Sequence, residues 1–127
     1  MIQVGSILSV IDNSGAKKVV CIKIMKGFKK RYAFLGDVIL VSVKKLRKKR
    51  RALSKVKKGE IYRALIVRLK TKSFSETLDA FSCIENSVVL FSKQNKFIGT
   101  RVFGSILKFF RYTKYMRLIF MSNGFSI

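Results

Sequence analysis

The sequence contains no histidine, no proline and no tryptophan, and only two cysteines. Without histidine, a Cys–His or Ser–His nucleophile cannot form, and one chain cannot build a tetrahedral zinc site from cysteine and histidine. The six acidic residues lie beside no glycine-rich phosphate loop and no paired carboxylate motif, so acid–base catalysis is not predicted either. We therefore expect a protein that is not an enzyme and has no catalytic residue, cofactor or metal.

Long hydrophobic runs are absent as well. No segment approaches the ~18 apolar residues of a membrane span. The first six residues show neither the basic and apolar regions of a secretory signal nor an Arg-rich amphipathic leader. We expect a protein that is not exported by the usual route. If it works in an organelle, we expect that it was made there or had its leader removed.

Negative charge is also scarce. The chain has 28 Lys and Arg against 6 Asp and Glu, a net charge of +22. Such a chain repels itself unless it lies against a polyanion, and nucleic acid is the usual one. An anionic membrane is the second candidate, and a basic face that is merely solvated is the third.

The two cysteines both lie in apolar surroundings, Val-Val-Cys-Ile around Cys21 and Phe-Ser-Cys-Ile around Cys83. This setting predicts two reduced thiols in the core.

The apolar residues predict mainly β structure in one domain, residues 1–127. Runs rich in β-branched residues predict strands at 17–25, 37–44, 60–70, 87–91 and 115–121. Several of these runs are apolar on both alternating faces, which favours a small closed barrel that is covered outside. A short helix is predicted at 105–114, with Ser105 as its N-cap and with Ile106, Phe109 and Phe110 at helical spacing as core contacts.

Positive charge is concentrated between the strands. Residues 44–58 contain ten basic residues and no acidic one, so this loop should be extended or disordered until a phosphate backbone neutralises it. A second basic cluster, residues 29–31, precedes the turn at Gly36. We expect the two clusters to leave the same end of the barrel and to form a phosphate-binding surface there.

An ordered series of short motifs resembles one known family. The motifs are Asp12-Asn13-Ser14-Gly15-Ala16-Lys17-Lys18, Cys21-Ile22-Lys23, Arg31-Tyr32-Ala33, Gly36-Asp37-Val38-Ile39, Val56-Lys57-Lys58-Gly59-Glu60, Arg63-Ala64-Leu65-Ile66-Val67-Arg68 and Gly99-Thr100-Arg101-Val102-Phe103-Gly104. In order and spacing they resemble the large-subunit ribosomal protein conventionally numbered fourteen, in its bacterial and organellar form. The match covers residues 1 to about 70 closely and recurs from about 86 to 121.

The resemblance implies a closed five-stranded barrel with short C-terminal helices and a structural role in the large ribosomal subunit. It implies binding to large-subunit rRNA at the face that meets the small subunit. It also implies four neighbours: the large-subunit proteins numbered three and nineteen, small-subunit rRNA through an inter-subunit bridge, and a silencing factor that blocks subunit joining.

Candidate rRNA-binding residues come from two sources. The resemblance implies contacts at Arg31, Lys57, Lys58, Arg68 and Arg101, with Gly99 and Gly104 flanking the bend that presents Arg101. The turn after residue 12 and the basic clusters add Asn13, Ser14, Lys17, Lys18, Lys29, Lys30, Lys44, Lys48, Lys49, Arg50 and Arg51. Lys23 and Lys70, which lie on predicted strands, are further candidates. Ser14 has a plain alternative as part of a connection between strands.

The sequence departs from the family pattern in several places. Residues 46–55 are longer and more basic than the bacterial pattern, residues 75–79 lack an expected Asp-Gly turn, Cys83 replaces an aromatic residue and Ser105 replaces the common proline. These departures leave the paths of 45–55 and 71–85 open. The absence of proline and the abundance of Phe, Lys, Ile and Ser are typical of strong A+T bias, which favours a mitochondrial protein over a plastid or bacterial one.

Two other functions remain as alternatives. A nucleic-acid chaperone on a small barrel would stack bases on exposed aromatic rings, so exposure of Phe28, Tyr32, Phe34 and Phe97 on one basic face would favour it. A membrane-surface protein would need an amphipathic basic helix, and residues 105–114 are the one candidate.

Overall fold

The fold is described from a computed structural model, which describes residues 1–50, 52–71, 73–74 and 80–126. The strands are β1 (Ile7–Val10), β2 (Ala16–Ile24), β3 (Val38–Leu46), β4 (Ile61–Arg68), β5 (Ser73–Phe74), β6 (Ala80–Phe81), β7 (Ser87–Phe91), β8 (Ile106–Leu107) and β9 (Phe125–Ser126). Two 3-10 helices span Lys48–Arg50 and Lys108–Tyr112, and one short α-helix, α1, spans Arg117–Met121. In the described part of the chain, no helix is long and apolar enough to cross a membrane.

Five strands form a closed barrel in the order β1-β2-β3-β4-β7. Neighbouring strands are antiparallel except β1 and β7, whose parallel pairing closes the barrel through Ser9 opposite Ser87 and Val10 opposite Val88. The predicted closed five-stranded barrel is therefore confirmed. The strands predicted at 17–25, 37–44, 60–70 and 87–91 are β2, β3, β4 and β7. Strand β1 was not predicted, because four residues carry too little periodicity.

Two apolar clusters explain why some strands are apolar on both faces. One fills the barrel interior, where Leu8, Val19 and Val41 are buried. The other lies outside the barrel wall, where Leu65 of β4 and Val89 of β7 pack in one cluster with C-terminal residues. The C-terminal segment thus covers the outer face of β4 and β7, as the pattern predicted. The outer side of β2 instead carries exposed lysines.

The C-terminal segment differs from its prediction. Residues 115–121 were predicted as a strand, but α1 occupies 117–121. Leu118 is buried and Tyr115 and Ile119 pack beside it in the outer cluster. These three residues follow the spacing of one helix face, and contact with the outer barrel wall overrides their β propensity.

The predicted helix at 105–114 is also shorter than expected. Only Lys108–Tyr112 is helical, as a 3-10 helix preceded by Leu107 with no side-chain cap, so the prediction of Ser105 as an N-cap is wrong. Ile106 and Phe110 are buried, as predicted, whereas Phe109 is half exposed.

The basic segment 44–58 is more ordered than predicted. Strand β3 continues through Leu46, and Val56 is fully buried in the barrel core. The backbone N–H of Arg47 donates to Gly15 O at 2.9 Å, and that of Lys55 donates to Ser14 O at 2.9 Å. Residues 44–46 are extended, as predicted, but as part of β3. The prediction of disorder is wrong for residues 44–47 and 55–56, because an apolar anchor and two backbone hydrogen bonds tie them to the barrel.

The prediction for the two cysteines is correct for one of them and wrong for the other. Cys21 is a buried free thiol, as predicted, whereas Cys83 is a free thiol that is only partly buried, so its prediction as a core residue is wrong. Strands β5 and β6 form a two-stranded sheet in the 71–85 segment. The missing turn noted at 75–79 lies outside the described residues.

Candidate nucleic-acid interface

A basic groove with a volume of about 1280 Å³ runs along one end of the barrel. Strands β1, β2 and β3 and the segment that follows β3 supply its walls. The lining residues are Ser9, Val10, Lys17, Lys18, Lys44, Lys45, Leu46, Arg47, Lys48, Lys49, Lys58 and Glu85. Eight of these twelve side chains are cationic and one is anionic, so the groove is suited to a polyanion.

The pairing of β2 with β3 brings two of these charges together. Lys18 of β2 lies opposite Ser9 on one side and opposite Lys45 on the other, at a point where the register between β2 and β3 shifts. Like charges directly opposite each other on neighbouring strands are destabilising. Both lysines are exposed, and an anion bound between them would relieve the repulsion.

The described carboxylates do not neutralise the groove. Glu85 accepts a hydrogen bond of 2.8 Å from Ser9 Oγ at its rim. Glu60 accepts one from Tyr62 Oη, which lowers the pKa of Glu60, while burial and the Glu60 carboxylate raise the pKa of Tyr62 to about 12. Among the described residues, the salt bridges are those of Lys26 and Lys30 with Asp37. The lysines of the groove are therefore available to a partner.

The second basic cluster leaves the barrel at the other end. Residues 29–31 precede β3 and residues 44–58 continue from its end, and a strand of nine residues is about 25–30 Å long. The prediction that both clusters leave the same end is wrong, because an extended strand separates them.

Asp37 organises the loop between β2 and β3. Its carboxylate accepts hydrogen bonds from Lys30 Nζ at 2.7 Å, from Lys26 Nζ at 3.2 Å and from Phe34 N–H at 3.0 Å. Burial pushes the pKa of Asp37 upward, but these hydrogen bonds outweigh it and lower the pKa below its usual value. The carboxylate thus stays ionised and holds both ends of the loop.

A third basic element is the bend that contains Arg101. Asn13 Oδ1 accepts hydrogen bonds from the backbone N–H groups of Thr100 at 2.8 Å and Arg101 at 3.3 Å, and Asn13 Nδ2 donates to Thr100 Oγ1 at 2.8 Å. The backbone N–H of Asn13 donates to Arg101 O at 3.2 Å. The backbone of the bend is therefore held, while the Arg101 side chain is exposed.

Two arginines support the other side of this bend. Arg68 donates from Nη2 to Phe103 O at 2.7 Å and from Nε to Ser105 O at 2.9 Å. Arg47 donates to Val10 O at 3.0 Å, and its guanidinium carbon lies 5.2 Å from the centre of the Phe103 ring. Both guanidinium groups stabilise the bend through Phe103, and Arg68 also does so through Ser105.

Asp12 lies buried beneath the same bend. Its carboxylate accepts hydrogen bonds from the Ser14 backbone and hydroxyl and from Leu90 N–H. Burial raises the pKa of Asp12, although these hydrogen bonds and the charge of Arg47 oppose the rise. A Cβ at Gly99 would lie 2.8 Å from Asp12 Cβ, so only glycine allows the bend to approach this closely.

The comparison with known families agrees with this geometry. The family model of Ribosomal protein L14p/L23e matches residues 1–125, which is nearly the whole chain. The chain belongs to this family. The prediction from the ordered motifs is thereby confirmed.

Membership in the family establishes the broad role of the chain. The family is structural and not enzymatic, and its members are parts of the large ribosomal subunit. The location is therefore the ribosome, where the chain is assembled with rRNA and other proteins.

The structure brings together only part of the predicted rRNA-binding set. Six predicted residues line the groove: Lys17, Lys18, Lys44, Lys48, Lys49 and Lys58. The other exposed members lie elsewhere on the surface: Lys23, Lys29, Arg31, Lys57, Lys70 and Arg101. Arg51 and the side chain of Arg50 lie outside the described residues. The groove is therefore the largest group of predicted contacts in the described part of the chain.

Four other predicted residues have polar groups engaged within the chain. Ser14 is fully buried and bonded to Asp12, and Lys30 is paired with Asp37. Asn13 and Arg68 hold the 99–105 bend. Their contacts with RNA stay a prediction, and their observed contacts position neighbouring residues.

Lys45 was missed as a candidate, and Arg47 was considered only as a member of the basic run. Lys45 faces the groove and lies opposite Lys18, while Arg47 links the groove to the bend. The basic run at 44–58 contained both residues, but its local pattern does not show which of its side chains face the groove.

The aromatic residues named for the chaperone alternative are divided. Phe28, Tyr32 and Phe34 are exposed. Phe97 packs on Phe91 with ring centres 4.7 Å apart and belongs to the outer cluster. Three of the four therefore face solvent in a basic loop, as that alternative requires, although family membership establishes a ribosomal role.

Proposed function

We propose that the chain binds large-subunit rRNA by seating a phosphate backbone in the basic groove. The observation that carries this proposal is the cross-strand pair of Lys18 and Lys45, two exposed like charges placed opposite each other. A fold keeps such a pair at a cost in stability, and a phosphate between them reverses the sign of the interaction.

Binding in this groove is directed mainly at phosphates. Lysine is a compact charge on a flexible stem, and the groove contains seven lysines and one arginine. The arginine, Arg47, is engaged with Val10 O and Phe103. We therefore expect the groove to fix the chain on folded rRNA by shape and charge, with little reading of base edges.

The Arg101 bend is our candidate for the face that meets the small subunit. Its backbone is held by Asn13 and Arg68, so binding through the exposed side chain of Arg101 does not have to order this backbone. By resemblance we place near this face a bridge to small-subunit rRNA, the large-subunit proteins numbered three and nineteen, and a silencing factor. Mitochondrial ribosomes are the proposed location because the composition shows A+T bias.

A charge-matched comparison tests the groove. The test variant replaces Lys18, Lys45 and Lys48 with Gln, and the control variant replaces three exposed lysines outside the groove, Lys93, Lys96 and Lys108. Both changes lower the net charge equally. For the test variant, the slope of log affinity against log salt for an rRNA fragment should become shallower by about 0.7–0.9 per lost phosphate contact. The control should change little.

The comparison separates local from general electrostatics. Equal changes in both variants would show that total charge, and not the groove, determines binding. A nearly flat salt response of the unaltered protein would reject phosphate-directed binding altogether. Recovery of the variants in sucrose-gradient fractions of large subunits then measures the effect on incorporation.

A further inference from the structure

The loop between β2 and β3 exposes three aromatic side chains. Phe28 is 91% exposed, Phe34 52% and Tyr32 39%. Single exposed apolar residues are normal on protein surfaces. Three rings within seven residues of one loop form a feature that the groove does not explain.

The backbone places Phe28 at the tip of this loop. Gly27 has a φ of +79° and Lys29 a φ of +53°, and a non-glycine residue with positive φ is uncommon. The base of the loop is held by Asp37 and by two backbone hydrogen bonds of 2.9 and 2.8 Å between Ile2 and Ala33. The ring is thus carried outward by a turn whose base is anchored to the barrel.

Each of two exposed rings has a cation over one of its faces. Lys29 Nζ lies 5.3 Å from the centre of the Phe28 ring, and Lys30 Nζ lies 5.7 Å from that of Phe34. Asp37 is the sole carboxylate in residues 25–37 and is already paired with Lys26 and Lys30. The tip therefore offers an aromatic face together with uncompensated positive charge.

A nucleotide matches both properties, because it joins an aromatic base to an anionic phosphate. We infer that Phe28 stacks on an unpaired RNA base while Lys29 contacts the adjoining phosphate. The base must be unpaired because, in a continuous duplex, neighbouring pairs cover both of its faces. The inference rests on the proposed function, since it assumes an RNA partner, but it concerns a surface at the opposite end of β3 from the groove.

The test measures binding of the full chain to two short RNAs, a single strand and a duplex of the same length, at several salt concentrations. Phe28→Ala should weaken single-strand binding about 5- to 150-fold, the range expected for one base–aromatic stack. The salt slope and the duplex affinity should not change, because no charge is lost. Phe28→Tyr should bind like the original protein, and Phe28→Leu should lose affinity like Phe28→Ala.

Tyr112→Ala is the matched control, because Tyr112 is 83% exposed and lies outside the loop. Equal losses in Tyr112→Ala and Phe28→Ala would overturn the inference, and so would full affinity in Phe28→Leu. If Phe28→Ala loses binding to vesicles of phosphatidylcholine and phosphatidylserine but keeps its RNA binding, the loop tip contacts a membrane and the inference is wrong. If the unaltered protein binds RNA with a steep salt dependence and Phe28→Ala has no effect, this inference alone fails. A flat salt response would instead reject the proposed function.

Discussion

The guanidinium group of Arg68 occupies the space that a side chain at residue 104 would need. A Cβ built on Gly104 would lie 2.5 Å from Arg68 Nη2. The same nitrogen donates hydrogen bonds of 2.7 Å to Phe103 O and to Ser105 O. The glycine and the arginine therefore require each other, and together they set the course of the bend after Arg101.

Gly104→Ala should lower the free energy of unfolding for two reasons. Gly104 has a φ of +80°, where an L side chain costs about 1–2 kcal/mol. The methyl group also displaces Arg68 Nη2 from its hydrogen bonds to Phe103 O and Ser105 O, at an added cost of about 1–3 kcal/mol. Gly59→Ala is the matched control, because Gly59 has a φ of +87° and nothing within 4 Å of its added Cβ. Urea unfolding measures both variants. Equal destabilisation would show that the guanidinium moves aside freely.

Subunit joining should depend on Asn13 as well as on Arg101. Arg101→Ala removes one charge-assisted contact of about 1.5–3 kcal/mol if it meets a phosphate, which is small against the many contacts that hold the chain in its own subunit. Asn13→Ala removes the hydrogen bonds that hold Thr100 and Arg101, so it should weaken joining although its own side chain is partly buried. The measurement is the ratio of joined ribosomes to free subunits across a magnesium series.

The control for this prediction is Asn123→Ala, which changes an exposed asparagine in the C-terminal tail. Both test variants should still be found in free large subunits. Normal joining by Arg101→Ala at every magnesium concentration would remove this bend from the bridge. Failure to incorporate would instead assign Arg101 to the contacts with its own subunit.

Asp37 should make the barrel sensitive to acid. Because the pKa of Asp37 is lowered in the folded chain, its stabilising contribution is fully present above the unfolded pKa of about 3.8 and is lost as the pH falls through the folded pKa. Asp37→Asn should therefore be less stable than the original protein at neutral pH, and the difference should shrink below about pH 4. Unfolding by urea from pH 7 to pH 2.5 measures it. A difference that is constant with pH would show that the charge of Asp37 does not contribute.

The two cysteines should respond differently to the same substitution. Cys21 is 1% exposed inside the barrel, and burial raises the pKa of its thiol. Cys21→Ser should destabilise the fold by about 1–3 kcal/mol, because it buries a hydroxyl group. Cys83→Ser, at a partly exposed position, should stay within about 0.5 kcal/mol of the original protein. A larger loss at Cys83 than at Cys21 in urea unfolding would contradict this assignment.

Local pattern in the sequence was sufficient for four of the five barrel strands. Strands β2, β3, β4 and β7 are long runs of β-branched residues, and their apolar character on both faces predicted a closed sheet that is covered outside. Helix α1 was not predictable in this way, because the same apolar residues suit a strand or a helix until the barrel wall offers a surface at helical spacing. The short strand β1 was not predicted, because four residues are too few to show a periodic pattern.

The sequence by itself determined a net charge of +22, which predicts a polyanionic partner, and an order of motifs that follows one ribosomal family. Only the tertiary structure decided which polar residues are free to meet that polyanion. Asn13 and Thr100 are 87 residues apart in the chain, and Arg68 and Ser105 are 37 apart, so no local pattern records that these pairs are bonded. A cation that holds a distant carbonyl group and a cation that faces solvent have the same letter in the sequence. They differ in what the fold places beside them, and this difference separates Arg68, which supports the bend, from Arg101, which the bend presents.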